Sequence, residues 1–201
     1  MEENKKYLLE NREVMIHSKW NVFKYGKWNE SNKKNFVTFD SDICQWEVGS
    51  STFDQHIFNR EKLAFVVEME NGIRFGAFTF VPIDSYEHYD KESEEWKAIV
   101  DPQSFLFTFK DSKPMKYMMK EEKKIEPMFV LCKEWEKCLF AVGNGERYDM
   151  WIGKKGKKSY CYDGKKCTYN YLDEKKVLTG YSGYGEKDKF DIKRVVVIQF
   201  K

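Results

Sequence analysis

Two strand-like runs on either side of Asn71-Gly72 do most to constrain the fold. Leu63 to Glu70 and Ile73 to Phe80 are dense in β-branched and aromatic residues, which suit a pleated, half-buried surface. Asn-Gly readily takes the positive φ angles of a two-residue type I′ turn, so the pair predicts an antiparallel hairpin. Gly76 in the second run marks either a bulge or a place where another backbone or a bulky side chain comes close.

The pattern continues along the chain. Phe36 to Phe39 reads as a strand ending at an Asp40-Ser41-Asp42 turn, and Ser104 to Phe109 places Phe105, Phe107 and Phe109 on one strand face. Further candidates follow at Met115 to Met119, Met128 to Cys132, Cys138 to Val142, Tyr148 to Ile152, Ser159 to Tyr162, Thr168 to Tyr171 and Phe190 to Phe200. Turn material separates them at about ten-residue intervals, the spacing of an antiparallel sandwich or barrel. Ser51 can cap a short covering helix carrying Phe53, Ile57 and Phe58. Ser85 to Val100 reads as a loop or as a helix around Glu92 to Ile99. The expected fold is mainly β with short flanking helices (α+β), a two-layer antiparallel β-sandwich.

Composition supplies the core for such a fold. Aromatic residues make up 17% of the 201, as 16 Phe, 12 Tyr and 6 Trp, and only 4 Pro and 12 Gly are present. That excludes a low-complexity chain. The length fits one domain that buries roughly two-thirds of its unfolded surface. Residues 1–35 form a polar, Lys/Asn-rich lead-in, partly helical around Tyr7, Leu8, Val14 and Met15, and residues 36–201 form the folded domain. The first ten residues offer only Tyr7, Leu8 and Leu9 as an apolar group, too short for a signal-peptide core. Apolar runs such as Cys138 to Val142 and Val195 to Ile198 fall far short of the roughly 20 residues of a spanning helix, so no membrane insertion is expected. The 5 cysteines, an odd set, suit a reducing compartment. The chain reads as cytoplasmic, with nuclear entry left open.

The ordered landmarks resemble the TLDc domain of oxidation-resistance proteins. They are Phe39-Asp40-Ser41-Asp42, Arg74-Phe75-Gly76-Ala77-Phe78, Asp101 with Ser104-Phe105-Leu106-Phe107, and Phe140-Ala141-Val142-Gly143. Tyr148-Asp149-Met150-Trp151-Ile152, Lys158-Ser159-Tyr160-Cys161, Leu178-Thr179-Gly180 and Phe190-Asp191-Ile192-Lys193-Arg194-Val195 complete the set. The resemblance spans residues 36–200. It implies a sandwich of two antiparallel sheets with no prosthetic group, a role in protection from oxidative damage and, for some members, binding to the vacuolar proton ATPase. It brings no accepted catalytic site. The family's doubled glycine after the Phe140 strand stands here as Gly143-Asn144-Gly145, which puts shared partners in doubt because binding surfaces sit on variable loops.

Candidate chemistry is sparse, and no catalytic, cofactor-binding or metal residue is expected. His17, His56 and His88 lie in the lead-in, on the short helix and in a charged stretch, without a catalytic or metal signature. Cys132 with Cys138 and Cys161 with Cys167 each have five residues between them, against two to four in the tight turn of a structural zinc site. Cys132, Cys138 and Cys161 suit small core positions. Cys167 follows Lys165-Lys166, and adjacent cations stabilise a thiolate, so it is the candidate redox residue. Asp40 and Asp42 form a turn without the ordered oxygen ligands of a calcium loop. Neither Gly143-Asn144-Gly145 nor Gly180 to Gly185 is a phosphate-cradling loop.

Charge is polarised along the chain. The total is +2, yet residues 143–201 hold 14 Lys plus Arg against 8 Asp plus Glu, and residues 1–142 hold 21 against 25. The basic run Lys154, Lys155, Lys157 and Lys158, with Lys165, Lys166, Tyr160 and Tyr162, is the candidate anion- or partner-binding group. It could meet an acidic protein, hold phosphates and stack bases, or be a solvated hairpin tip. Gly156 within it is expected to tolerate substitution, unlike Gly72.

Three readings follow. The first is a non-enzymatic TLDc-like interaction domain acting in the oxidative-stress response through a protein partner such as the vacuolar proton ATPase. The second is a nucleic-acid-binding regulator that uses the basic C-terminal half. The third is a thiol-based redox protein using Cys167.

Overall fold

The structure, a computed structural model, describes residues 35–84, 88–90, 95–97, 99–110, 113–125, 128–143, 148–162, 167–171, 178–180 and 188–200. In chain order the strands are β1 (Phe36–Asp40), β2 (Leu63–Met69), β3 (Arg74–Thr79), β4 (His88–Asp90), β5 (Glu95–Lys97), β6 (Phe105–Lys110), β7 (Lys113–Met118), β8 (Phe129–Leu131), β9 (Cys138–Val142), β10 (Met150–Gly153), β11 (Tyr160–Cys161) and β12 (Ile192–Gln199). A short helix, α1 (Phe53–Ile57), lies between β1 and β2.

The larger sheet runs β1-β12-β2-β3-β6-β7 and the smaller β11-β10-β9-β8, while β4 and β5 pair with each other. Every pairing is antiparallel. The two sheets pack as the layers of a β-sandwich. The chain closes on itself, because β12 from the far end lies between β1 and β2.

Alternation in the strands builds the core. Leu63, Phe65, Val67 and Met69 of β2 face the smaller sheet, with Phe39 of β1 and Val195 and Val197 of β12. Phe65 meets Phe129 and Phe140 of the opposite layer at ring distances of 4.7 and 5.1 Å. Phe53 of α1 stacks on Phe140 at 5.6 Å and meets Phe39 edge-on at 4.8 Å, closing one end of the sandwich. Each fully buried Phe is worth about 1.5–3 kcal/mol on folding. Ser51 does not cap α1 as its N-cap residue, which is Thr52. Its Oγ instead accepts from the Phe53 N–H at 3.3 Å.

The β2–β3 hairpin forms as expected, with a different turn. Met69 N–H donates to Ile73 O and Gly72 N–H donates to Met69 O, both at 2.9 Å, so the loop holds three residues. Gly72 has φ +83°, while Asn71 is not among the residues with positive φ. A type I turn followed by a left-handed glycine meets this pattern, where type I′ would need positive φ at both positions. Asn71 contributes through its side chain, whose Oδ1 accepts from Ile73 N–H at 3.1 Å. Gly76 is a site of close approach: a Cβ there would collide with the carbonyl oxygen of Phe65 and come within 2.7 Å of the Phe107 ring.

Two segments differ from expectation. Between Ser85 and Val100 the described residues form the β4–β5 ladder with Tyr89 opposite Trp96, where a loop or helix was expected; aromatic residues set among charges fit both periods over so short a run. Thr168 to Tyr171 is no strand and makes one isolated bridge, Tyr169 with Met119. The N–H groups of Thr168 and Tyr169 are taken by the Asp149 carboxylate, so no ladder can extend through them. Residues 1–34, with the expected helical pattern and His17, lie outside the described residues, as do Lys165 and Lys166.

Candidate functional site

The basic run starts where β10 ends. Lys157 N–H donates to Lys154 O at 2.8 Å, closing a turn through Lys155 and Gly156. Gly156 has φ +73°, the sign a type II turn demands at its third position. This turn sets the four lysines in different places. Lys155, Lys157 and Lys158 are exposed, whereas Lys154 is 1% exposed. Lys154 therefore departs from the expected anion-facing group. Its ammonium donates to the carbonyl oxygens of Lys133 and Glu134 in the β8–β9 connection, and desolvation lowers its pKa.

Carboxylates engage two of the exposed lysines. Lys155 Nζ lies 2.7 Å from Glu47 Oε1 and Lys158 Nζ 2.6 Å from Asp191 Oδ2. Both pairs are solvent-exposed, each worth about 0–1 kcal/mol and open to exchange for another anion. The hydrogen bond from Lys155, first among the causes, holds the Glu47 carboxyl below its ordinary pKa. Lys157 has no carboxylate within ion-pair distance among the described residues.

The β8–β9 connection that holds Lys154 also borders an aromatic groove that sequence reasoning missed. Val130, Cys132, Cys138, Tyr148 and Trp151 line it on the side of the smaller sheet facing away from the core, with Trp135 at its rim; its volume is about 430 Å³. Trp135 is 69% exposed, with Lys133 Nζ 5.3 Å from its ring centre. Tyr160, half-buried, stacks on Trp151 at 5.7 Å and 4° between planes. One face of Tyr160 is thus already occupied by protein. Trp135 and Trp151 sit sixteen positions apart in sequence on different elements, so only the β8-β9-β10 register brings them together.

Cys167 is 4% exposed and its Sγ donates to Tyr169 O at 3.0 Å. A thiol so placed is shielded from oxidants, unlike the exposed position that favours a reactive thiolate. All five cysteines are buried and free of disulfides. The His56 ring packs against Phe39 at 5.8 Å. Among the described residues no group of three His, Cys, Asp or Glu is placed to hold a metal ion.

Buried carboxylates form the polar framework. Asp149, 0% exposed, accepts from Thr168 N–H at 2.8 and 2.9 Å, from Tyr169 N–H at 3.0 Å and from Tyr171 OH at 3.2 Å. Burial, the largest influence, pushes its pKa up to about 6, while the hydrogen bonds from Thr168 and Tyr169 pull it down. Burial also pushes the Tyr169 and Tyr171 hydroxyls up. Gly143 makes room for this cluster, since a Cβ there would strike Asp149. Asp101 ties strand ends together by accepting from Thr79 Oγ1 at 3.0 Å, Phe80 N–H at 2.6 Å and Gln103 N–H at 3.1 Å. Asp40 receives a two-pronged contact from Arg194, at 3.0 Å from Nε and 2.6 Å from Nη2, which latches β1 to β12. The Asp40-Ser41-Asp42 turn is thereby an ion-pair anchor as well as a turn.

Two antiparallel layers, closed by the last strand and braced by buried carboxylates, define a β-sandwich scaffold. The TLDc domain profile matches residues 44–201, and the chain belongs to the TLDc domain family. No curated protein matches the chain. Among the described residues no helix is long and apolar enough to cross a membrane.

Proposed function

We propose that this chain is a TLDc interaction domain that acts in the oxidative-stress response by holding a protein partner and without catalysis, in the cytoplasm with access to the nucleus. The vacuolar proton ATPase is the partner type the family resemblance implies. In this reading residues 1–35 are a lead-in to a domain over 36–201, and no prosthetic group is needed. Family membership over residues 44–201 is the observation that carries it. The aromatic groove and the basic turn support it by supplying an exposed indole, an apolar trough and cations whose carboxylate partners are exchangeable. An acidic segment with one apolar anchor suits that surface.

Cross-linking the full chain in resting and peroxide-treated cells, then identifying the attached proteins, tests the proposal. Proton-ATPase subunits are expected, in larger yield after peroxide. Recovery of chromatin without a protein partner would overturn it.

A second reading, binding of nucleic acid, draws on the exposed Trp135 ring and on the exposed Lys155, Lys157 and Lys158, because aromatic rings and cations on one protein can stack bases and hold phosphates. Titration of single- and double-stranded DNA with salt tests it. Binding above background at about 0.15 M salt, weakening as salt rises, would favour it, and none would remove it.

A further inference from the structure

The outer side of the smaller sheet holds two thiols that strand register brings side by side. Val130 of β8, Cys132 just after it, and Cys138 and Ala141 of β9 form one buried cluster there, while Phe129, Leu131, Leu139, Phe140 and Val142 belong to the sandwich core. Val130 lies opposite Ala141 and Leu131 opposite Phe140. Strict alternation would next set Cys132 against Leu139. The strand is irregular at that point, because β10 pairs Ile152 with Phe140 and Gly153 with Cys138 and passes over Leu139. A bulge of this kind re-aims the side chains beyond it. Leu139 and Phe140 both enter the core, and Cys138 becomes the next outward residue after Ala141. Cys132 is the next outward residue after Val130, and its N–H still donates to Leu139 O at 3.4 Å. The two thiols are thus lateral neighbours across the strand pair.

Such neighbours have Cβ atoms about 4.5–5.5 Å apart, and a disulfide needs about 3.5–4.5 Å. Only a small shift separates the reduced pair from a bond. The connection they bracket, 133–137, is a short turn in which Glu136 N–H donates to Lys133 O at 3.1 Å, and the Lys154 ammonium binds the Lys133 and Glu134 carbonyls of the same turn. After desolvation, Cys132 and Cys138 act on the Lys154 charge more strongly than Glu136 or Asp54, which agrees with both thiols lying close to one ammonium. The thiols keep 7% and 6% exposure, and both line the groove of about 430 Å³, so a small oxidant can reach them.

We propose that Cys132 and Cys138 are a modification site, a dithiol that a hydroperoxide converts to a disulfide in the floor of the groove. One thiol attacks the peroxide oxygen and breaks the O–O bond; an alcohol or water leaves, and the sulfur becomes a sulfenic acid. The second thiol then attacks that sulfur. The S–S bond forms, and the hydroxyl leaves with the proton of the second thiol as water. Two electrons pass from the sulfurs to the peroxide, and exchange with another thiol restores the reduced pair. The bond closes a ring around 133–137, the connection that carries Trp135, and so fixes the rim of the groove.

Peptide mapping of the purified full chain tests this. After treatment with an equimolar amount of hydrogen peroxide and alkylation of the remaining thiols, trypsin should release residues 125–133 and 138–147 joined through Cys132 and Cys138. The joined pair should be lighter by two hydrogen atoms than its parts, come apart with reductant, and form in undiminished yield when the protein is diluted. The Cys161→Ser/Cys167→Ser double variant should give the same linked pair. Cys132 and Cys138 left open to alkylation in the folded chain, a link formed only in urea, or links that join Cys161 to Cys167 or one chain to another in its place would overturn the inference.

Discussion

Asp149 shows how much of this protein rests on single buried polar groups. Its folded pKa of about 6 stands above the ordinary 3.8, so between those values the folded chain keeps a proton that the unfolded chain has lost. The stabilisation is whole below the unfolded pKa and is lost as pH rises through about 6, on the order of 3 kcal/mol in all. Urea midpoints at pH 4 and pH 7 should reveal this decline in the native chain, and Asp149→Asn should remove it while lowering stability at both. Lys154 makes a second case. Lys154→Met strips the donor from two carbonyl groups and should cost about 1–3 kcal/mol. Lys157→Met, three positions along the same run, should stay within about 0.5 kcal/mol. Gly72 and Gly156, at φ +83° and +73°, should both lose thermal stability on replacement by Val, about 1–2 kcal/mol each. That places Gly156 with Gly72, where the solvated-tip reading set them apart.

Elements were legible in the sequence where the pattern is local. Cys138 to Val142 coincides with β9, and the runs beside Asn71-Gly72 hold β2 and β3, because alternation and turn residues act within a few positions. Contacts between distant residues were not. The Asp40 turn reads correctly as a turn, but its Arg194 partner is 154 residues away. Asp149 finds its backbone donors 19 and 20 residues on, and their capture is what stops Thr168 to Tyr171 from forming a strand. Lys154 looks like its neighbours until the β8–β9 connection folds over it. For the same reason, the Trp135 and Trp151 groove follows from strand register rather than from any motif. The β1–β12 latch gives a prediction at this scale. Arg194→Met leaves the Asp40 carboxylate buried without its cation and should destabilise the fold by roughly 3 kcal/mol in chemical denaturation. It should also speed hydrogen exchange at the β1–β12 amides before those of β9.

At the scale of the molecule, a near-neutral chain presents an exposed basic turn, an exposed tryptophan beside the smaller sheet and an apolar cluster on the outer face of the larger sheet. If the basic turn and Trp135 hold the partner, substitutions there should weaken binding and spare the fold. Lys155→Glu with Lys157→Glu and Trp135→Ala should weaken partner binding and leave unfolding within about 1 kcal/mol of the native chain. Surface binding of the purified full chain to the purified soluble sector of the vacuolar proton ATPase at about 0.15 M salt separates a protein-binding domain from a nucleic-acid binder. Saturable binding, lost in that triple variant and unaffected by added DNA, is the predicted result. Absence of binding, with DNA captured by the same lysines instead, would contradict it.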